Sequence, residues 1–363
     1  MPMKPCHRRR ILVAPLDWGL GHATRCIPVI EELRIRGCDI FLGGEGPVVE
    51  MVRSEFPTLR VLPLVNYNIS YTARAAFLGL KFPFFVARVF LRSATEHRQI
   101  EQLITDYKID AIISDQRFGC YSQMVPCAYI SHQLSVKMPS GFGAVEQLVR
   151  RGLYHAADRY TQLWIPDWPG EDNLTGELSR KYPLPPNHRF IGLLSRFIPQ
   201  KNNDKKQDID LLVMLSGPEP QRTLLERRIR AQLEHFDGRA VVLLGRPEER
   251  ETVKGSIEYI PHAPTETIAD LLARAKAVVC RGGYSTIMEL VSLGKKAVLI
   301  PTPGQTEQQY LARYLCTKGY FAHQSQKGFN LSHALAALSK ISGPPTPPPH
   351  RNTLKDAIEE LTA

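Results

Sequence analysis

Cys280-Arg-Gly-Gly-Tyr-Ser-Thr-Ile-Met-Glu-Leu290 closes one apolar run, residues 277–280, and opens a helical pattern. A second apolar run, 297–300, follows and leads into Pro301-Thr-Pro-Gly-Gln-Thr-Glu-Gln-Gln-Tyr310. Continuous short apolar runs separated by a glycine turn and a helix are the pattern of parallel strands buried on both faces and joined by a crossover helix. The stretch therefore predicts an α/β unit with its turns at the carboxyl edge of a parallel sheet.

The same alternation extends in both directions. Upstream in the second half, apolar runs at 211–215, 240–244 and 256–260 precede Ser216-Gly217, Gly245 and Pro261. In the first half, runs at 11–14, 40–42, 61–64, 109–114 and 127–131 alternate with helical patterns at 23–36, closed by Gly37, and 48–55. Two doubly wound parallel sheets follow from this, one per half. The polar stretch Pro199-Gln-Lys-Asn-Asn-Asp-Lys-Lys-Gln-Asp208 lies between them and reads as the connection. Near the end, Gly343-Pro-Pro-Thr-Pro-Pro-Pro349 can be neither helix nor central strand, and a short helix is expected over 353–361.

Three groups of residues carry chemistry. In the opening stretch, Gly282-Gly283 and then Ser285-Thr286 at a helix start describe an anion site made of backbone N–H groups and the helix dipole. Glu289 has two readings: the partner of Thr286 in a Thr-x-x-Glu capping box, or a carboxylate accepting the two hydroxyls of a ribose. In Asp17-Trp-Gly-Leu-Gly-His-Ala-Thr-Arg25, Gly19 and Gly21 form a turn after the first strand and place His22 at a helix start. His22 reads either as a hydrogen-bonded turn histidine or as a base, a neutral imidazole being well suited to take a hydroxyl proton near pH 7. Asp115, ending the run Ile112-Ile-Ser-Asp-Gln116, is either a cap or the group that orients His22.

With 363 residues the chain is long enough for two domains. No window approaches the ~18 unbroken apolar residues of a spanning helix. The apolar run near the N-terminus, 11–14, is too short for the ~7 to 15 residue core of a secretory signal, so a cytoplasmic protein is expected. Seven scattered cysteines without a C-x-x-C pair suggest neither a disulfide framework nor a zinc site. The charge of +10, from 46 Lys+Arg against 36 Asp+Glu, would attract nucleic acid, an anionic membrane or an anionic substrate alike. The dispersal of the basic residues and the lack of any nucleic-acid-binding motif argue against the first.

Residues 75–92 (AAFLGLKFPFFVARVFLR) hold five phenylalanines, with Lys81, Arg88 and Arg92 the only charges. They read as a core helix interrupted near Pro83 or as an interfacial patch facing an anionic membrane.

The stretch from Ile260 through Tyr310 resembles the donor-binding half of GT-B glycosyltransferases of family 28, the family of the peptidoglycan-lipid N-acetylglucosaminyltransferases and galactolipid synthases. It is similar, more distantly, to the UDP-glucuronosyl and plant UDP-glycosyltransferases. Gly283, Ser285, Thr286 and Glu289, then Glu307-Gln308-Gln309, carry the likeness. Gly19, Gly21 and His22 fit the acceptor domain of the same families, and Ser216-Gly217 falls where they place a second phosphate-binding turn. Arg281 stands where the plant enzymes carry histidine.

The resemblance implies two Rossmann-like domains facing across a cleft: 1–198 binding acceptor, 199–342 binding donor, and 343–363 returning toward the first. It implies that Glu289 binds ribose, that Gly283, Ser285 and Thr286 hold a diphosphate, that Gln308 and Gln309 contact the sugar, and that main chain near Ile260 reads uracil. His22 would be the general base and Asp115 its partner, as in the plant enzymes. In an inverting transfer, Gly282-Gly283, the helix start and Arg281 would meet the growing charge of the leaving diphosphate. The expected activity is transfer of a hexose-type sugar from a UDP donor to a hydroxyl acceptor, lipid-linked in one version, with the enzyme peripheral at the inner membrane face. A UDP-sugar epimerase and a non-catalytic nucleotide-sugar-binding protein are the alternatives. No metal or other cofactor is expected: Asp208-Ile-Asp210 has the spacing used by metal-dependent transferases but leads into a strand and should be solvated.

Overall fold

A computed structural model describes residues 8–67, 78–136, 143–197, 206–246, 250–348 and 353–363. The chain divides into two compact units, Met1–Leu194 with Pro348–Ala363, and Ser195–Pro347. The expected boundaries at 198/199 and 342/343 shift to these positions for local reasons. The Ser195 hydroxyl bonds the Ser292 hydroxyl at 2.8 Å, and the Gly343 N–H donates to the Gly319 carbonyl at 3.2 Å, so both ends belong to the second unit. Residues 199–205 of the expected connection lie outside the described residues.

In the first unit the elements run β1 (Arg10–Pro15), α1 (Gly21–Ile35), β2 (Asp39–Gly43), α2 (Pro47–Glu55), β3 (Arg60–Leu62), α3 (Leu78–Tyr107), β4 (Ala111–Asp115), β5 (Cys127–Ile130), α4 (Gly143–Ala157), β6 (Gln162–Ile165), α5 (Glu177–Arg180) and β7 (His188–Phe190). The strands pair in parallel in the order β3-β2-β1-β4-β5-β6-β7. Apolar side chains of the central strands, among them Leu12, Ile112, Tyr129 and Leu163, pack with Ile100 and Ile104 of α3. The order reverses between β1 and β4: the chain leaves β1 toward β2 on one side and returns to β4 on the other. Loops after these two strands therefore diverge and leave a crevice at their carboxyl ends, where doubly wound sheets take ligands.

The second unit contains β8 (Ile209–Met214), α6 (Gln221–Leu233), β9 (Ala240–Leu243), β10 (Thr252–Lys254), β11 (Ile257–Ile260), α7 (Thr265–Arg274), β12 (Ala275–Cys280), α8 (Tyr284–Ser292), β13 (Ala297–Leu299), α9 (Thr306–Thr317), β14 (Ala322–His323) and α10 (Leu331–Leu338). Its strand order is β10-β11-β9-β8-β12-β13-β14, parallel except for the edge hairpin β10-β11. Here the reversal falls between β8 and β12. Ser216-Gly217 follows the first of these strands and Arg281-Gly282-Gly283 the second.

The last helix, α11 (Thr353–Leu361), belongs to the first unit. Leu354, Ile358 and Leu361 recur at helical spacing and are buried, each contributing about 1.5–3 kcal/mol by leaving water. Arg36 Nη2 donates to the Lys355 carbonyl at 2.8 Å, and Gln162 Nε2 to Glu360 Oε1 at 3.2 Å.

One sequence expectation is corrected. α3 runs from Leu78 to Tyr107 through Pro83 without a break, so no interruption occurs there. Residues 75–77 of the aromatic segment, and its side chains through residue 86, lie outside the described residues; beyond them Phe90 and Leu91 are exposed. Asp208 and Asp210 lie part-exposed at the surface and are ion-paired there. Arg274 and Arg239 hold Asp208 and Lys276 holds Asp210, and the Asp208 carboxyl is pulled down to about 2, chiefly by the Arg274 hydrogen bonds. Cys26, Cys38, Cys120, Cys127, Cys280 and Cys316, the described cysteines, are all free.

Candidate active site

At the β1/β4 reversal, Gly19 has φ +87°, which a side chain would strain, and the Gly19 carbonyl accepts the His22 N–H at 3.2 Å. α1 starts at Gly21, so His22 sits in its first turn. Its Nδ1 lies 2.9 Å from Oδ2 of Asp115, the last residue of β4. β1 and β4 are register neighbours, Pro15 opposite Asp115, and Leu16 N–H donates to the Asp115 carbonyl, which fixes the separation of the two side chains. Both are buried. Burial pushes the His22 imidazolium down, with Asp115 opposing, so the ring is neutral near pH 7; Asp115 is held below the usual carboxylate range by Arg25 and His22 against its own burial.

A third side chain completes this cluster. Arg25, one turn along α1, places Nη2 3.0 Å from Asp115 Oδ1 and 2.7 Å from His22 Nδ1, and Nε 3.3 Å from Asp115 Oδ2. Sequence reading passed over it, although a buried aspartate beside a neutral imidazole calls for a cation, and Arg25 shares a helix face with His22.

At the β8/β12 reversal, Arg281 is buried and spans the two turns. Its Nε donates to the Ser216 carbonyl at 3.3 Å, Nη1 to Ile300 at 3.2 Å and Nη2 to Gln221 at 2.8 Å. No carboxylate pairs with it among the described residues, and burial pushes the guanidinium down to about 10, still charged at neutral pH. Gly217, at φ +100°, lies beside the Thr302 hydroxyl. Gly283 is the N-cap of α8 with φ −72°, and a Cβ there would meet no protein atom within 4 Å. Neither conformation nor packing among the described residues requires glycine at 283. Ser285 and Thr286, partly exposed, lie in the first turn.

Because Gly283 is the N-cap and no side chain caps it, the Thr286-x-x-Glu289 capping box does not form. Glu289 points its carboxylate at Arg196 instead: Nε donates to Oε1 at 2.7 Å, and Arg196 Nη1 reaches the Thr265 hydroxyl at 3.2 Å. Burial pushes the Glu289 carboxyl up and Arg196 partly offsets it. Arg196 lies in irregular chain, where no periodicity marks it.

Other expected donor residues are placed as follows. Gln308 Oε1 accepts the Thr302 N–H at 2.9 Å, so this side chain braces the 301–305 turn with its oxygen. Glu307 and Gln309 are partly exposed on the first turn of α9. The Ile260 carbonyl accepts the Leu244 N–H at 2.9 Å, and the Pro261 carbonyl the Arg246 N–H at 2.8 Å, so both main-chain acceptors already have partners.

Residues 218–361 match the Glycosyltransferase family 28 C-terminal domain. An uncharacterized glycosyltransferase of Methanosarcina acetivorans is 23% identical over 340 residues, 86% of this chain and 82% of its own. The UDP-N-acetylglucosamine--N-acetylmuramyl-(pentapeptide) pyrophosphoryl-undecaprenol N-acetylglucosamine transferase of Desulforudis audaxviator is 30% identical over 200 residues, 54% of this chain and 52% of that one. The crystal structure of Acinetobacter baumannii MurG superposes with a TM-score of 0.60 at 12% identity, covering 97% of this chain and 99% of the other. Residues 218–361 thus carry the likeness to the family 28 C-terminal domain, and the chain as a whole has the GT-B fold of these glycosyltransferase structures.

Proposed function

We propose that the enzyme transfers a hexose-type sugar with inversion from a UDP donor to a hydroxyl acceptor, without a metal. The observation that carries this reading is the His22–Asp115 pair, 2.9 Å apart and buried at the β1/β4 reversal. With Nδ1–H donating to Asp115, the Nε2 lone pair takes the acceptor hydroxyl proton as the oxygen forms its bond to the anomeric carbon and the bond to the diphosphate breaks. Asp115 stabilises the imidazolium that results, a contribution of about 10²- to 10⁴-fold for proton removal of this type.

The leaving diphosphate gains negative charge. The N-terminus of α8 with Gly282, Gly283, Ser285 and Thr286, and the Arg281 cation, which pairs with no carboxylate among the described residues, are the groups we assign to it, with Ser216-Gly217 as the second turn. These fixed charges take the part a divalent ion plays elsewhere. Glu289 is assigned to the ribose, Gln309 and the Gln308 amide to the sugar, and main chain around Ile260 to the base. The names of the Desulforudis relative and its kin support UDP and a lipid-linked acceptor. Exposed Phe90 and Leu91 beside Arg88 and Arg92 support work at an anionic membrane face, and no helix among the described residues is long and apolar enough to cross a membrane.

The test is a thermal-shift screen of UDP-, GDP- and TDP-sugars followed by nucleotide release with and without acceptor. A UDP-sugar at 100 times its Kd should add about 2.7 kcal/mol of stability. Stabilisation by GDP- or TDP-sugars alone would replace the donor assignment, and epimerised donor without transfer would replace the reaction.

A further inference from the structure

Three groups meet at one proton position beside His22. Nδ1 lies 2.9 Å from Asp115 Oδ2 and 2.7 Å from Arg25 Nη2. Arg25 also grips both oxygens of Asp115, Oδ1 through Nη2 at 3.0 Å and Oδ2 through Nε at 3.3 Å, with all three side chains buried. A ring nitrogen carries a hydrogen or a lone pair, not both. Donating to Asp115, Nδ1 leaves the Nε2 lone pair ready for a substrate proton; accepting from Arg25, it leaves the hydrogen on Nε2 and the ring unable to act. A buried carboxylate alone would bind the Nδ1 hydrogen strongly and favour the imidazolium, and a base already protonated does no work.

We propose that Arg25 is a positioning residue that sets the pH range of the His22 base, by occupying both Asp115 oxygens and so limiting how strongly that carboxylate holds a proton on the ring. The proposal rests on the reading of His22 as the base. With Arg25 present, the cation and the carboxylate cancel, and protonating His22 adds a net charge to a buried cluster. With Arg25 neutralised, protonating His22 creates a neutral ion pair, which burial favours. The other groups facing the ring act in the same direction as Arg25 or are silent. His132, after β5, disfavours the His22 imidazolium, and the N-terminus of α1, on which His22 sits, does so through its dipole. Cys26 and Tyr129, which adjoin Asp115, are kept neutral by burial. Removing Arg25 therefore moves the His22 midpoint up, whereas a scaffold role would leave it in place.

The experiment follows the His22 ring by NMR in the full-length protein labelled at histidine Cε1, with His22→Ala identifying the signal, alongside the pH profile of kcat/KM. In Arg25→Gln the midpoint should rise by about 1 pH unit or more, the size expected for a lost charge at this distance, and the acid limb of kcat/KM should rise with it. Arg25→Lys, which keeps the charge without the fork, should restore both to within about half a unit. Arg25→Gln with Asp115→Asn removes both charges, leaves no unpaired carboxylate to unfold the site, and should return the midpoint to the wild-type value or below. An unmoved midpoint in Arg25→Gln, or a double variant as high as the single one, overturns the proposal. A midpoint that moves while the acid limb stays put instead removes His22 as the base, and the catalytic part of the proposal falls with it.

Discussion

Arg196 donates from Nε to Oε1 of Glu289 at 2.7 Å, with both side chains almost wholly buried, so the carboxylate assigned to ribose is held by a cation from the segment that opens the second unit. One oxygen of Glu289 is thereby fixed and the other carries the remaining acceptor capacity. Glu289→Gln should lower UDP affinity by about 1.5–3 kcal/mol, the worth of hydrogen bonds to a charged group. It should also lower stability by about 3–5 kcal/mol, because Arg196 is left as a buried cation without its partner. Calorimetric titration with UDP and urea unfolding measure the two effects separately. Undiminished UDP affinity in a folded variant would take Glu289 out of the donor site.

Which parts of this arrangement the sequence discloses follows from how each residue is used. β1, β4, β8 and β12 are buried on both faces, so they appear as plain apolar runs with the reactive residues directly after them. β7, His188-Arg-Phe190, and β10, Thr252-Val-Lys254, lie at sheet edges and carry no such run, and neither was expected. β6, Gln162-Leu-Trp-Ile165, is fully buried, but it opens on a polar glutamine and was not expected. His22 and Asp115 announce themselves by residue type at a strand end. Arg25 and Arg196 do not, since an arginine in a helix or loop reads as solvent-facing until the carboxylate it neutralises, 90 and 93 positions away in sequence, is brought beside it. Glu289 had a purely local explanation available, and it failed because the helix begins one residue after Gly283 rather than at Thr286.

Arg281 should separate phosphate recognition from base and ribose recognition. Its guanidinium is spent on three carbonyls and balanced by no carboxylate among the described residues, so Arg281→Met removes charge seen by the diphosphate and not by the nucleoside. UDP affinity should drop by about 1.5–3 kcal/mol, with uridine affinity unchanged. An equal loss for uridine and UDP would make Arg281 a brace between turns and nothing more.

The basic, aromatic start of α3 predicts salt-sensitive retention on vesicles containing anionic lipid. Each basic residue near such a surface contributes about 1 kcal/mol, so charge reversal at Lys81, Arg88 and Arg92 together should release the protein. Failure of the wild type to co-sediment at low salt would favour a soluble acceptor.

His22→Ala should lower kcat by about 10²- to 10⁴-fold while leaving donor affinity unchanged, since the groups assigned to the donor belong to the other unit. Asp115→Asn should cost less than His22→Ala, and less at low pH than at high pH, and the sign follows from what each group does to the imidazole. Asp115 favours the protonated ring, while Arg25 and burial disfavour it. Loss of the Asp115 charge therefore lowers the His22 midpoint further below the ordinary 6.5. The acid limb of kcat/KM then extends to lower pH, but the base is weaker and the plateau falls because the imidazolium formed in the transition state has lost its counter-charge. Asp115→Asn also leaves Arg25 buried without a carboxylate, so its stability should drop as well. Nucleotide release measured with and without acceptor across pH 5 to 9 reports all of these. Near-normal turnover in His22→Ala would assign proton removal elsewhere, with Asp115 itself or His132 next in reach.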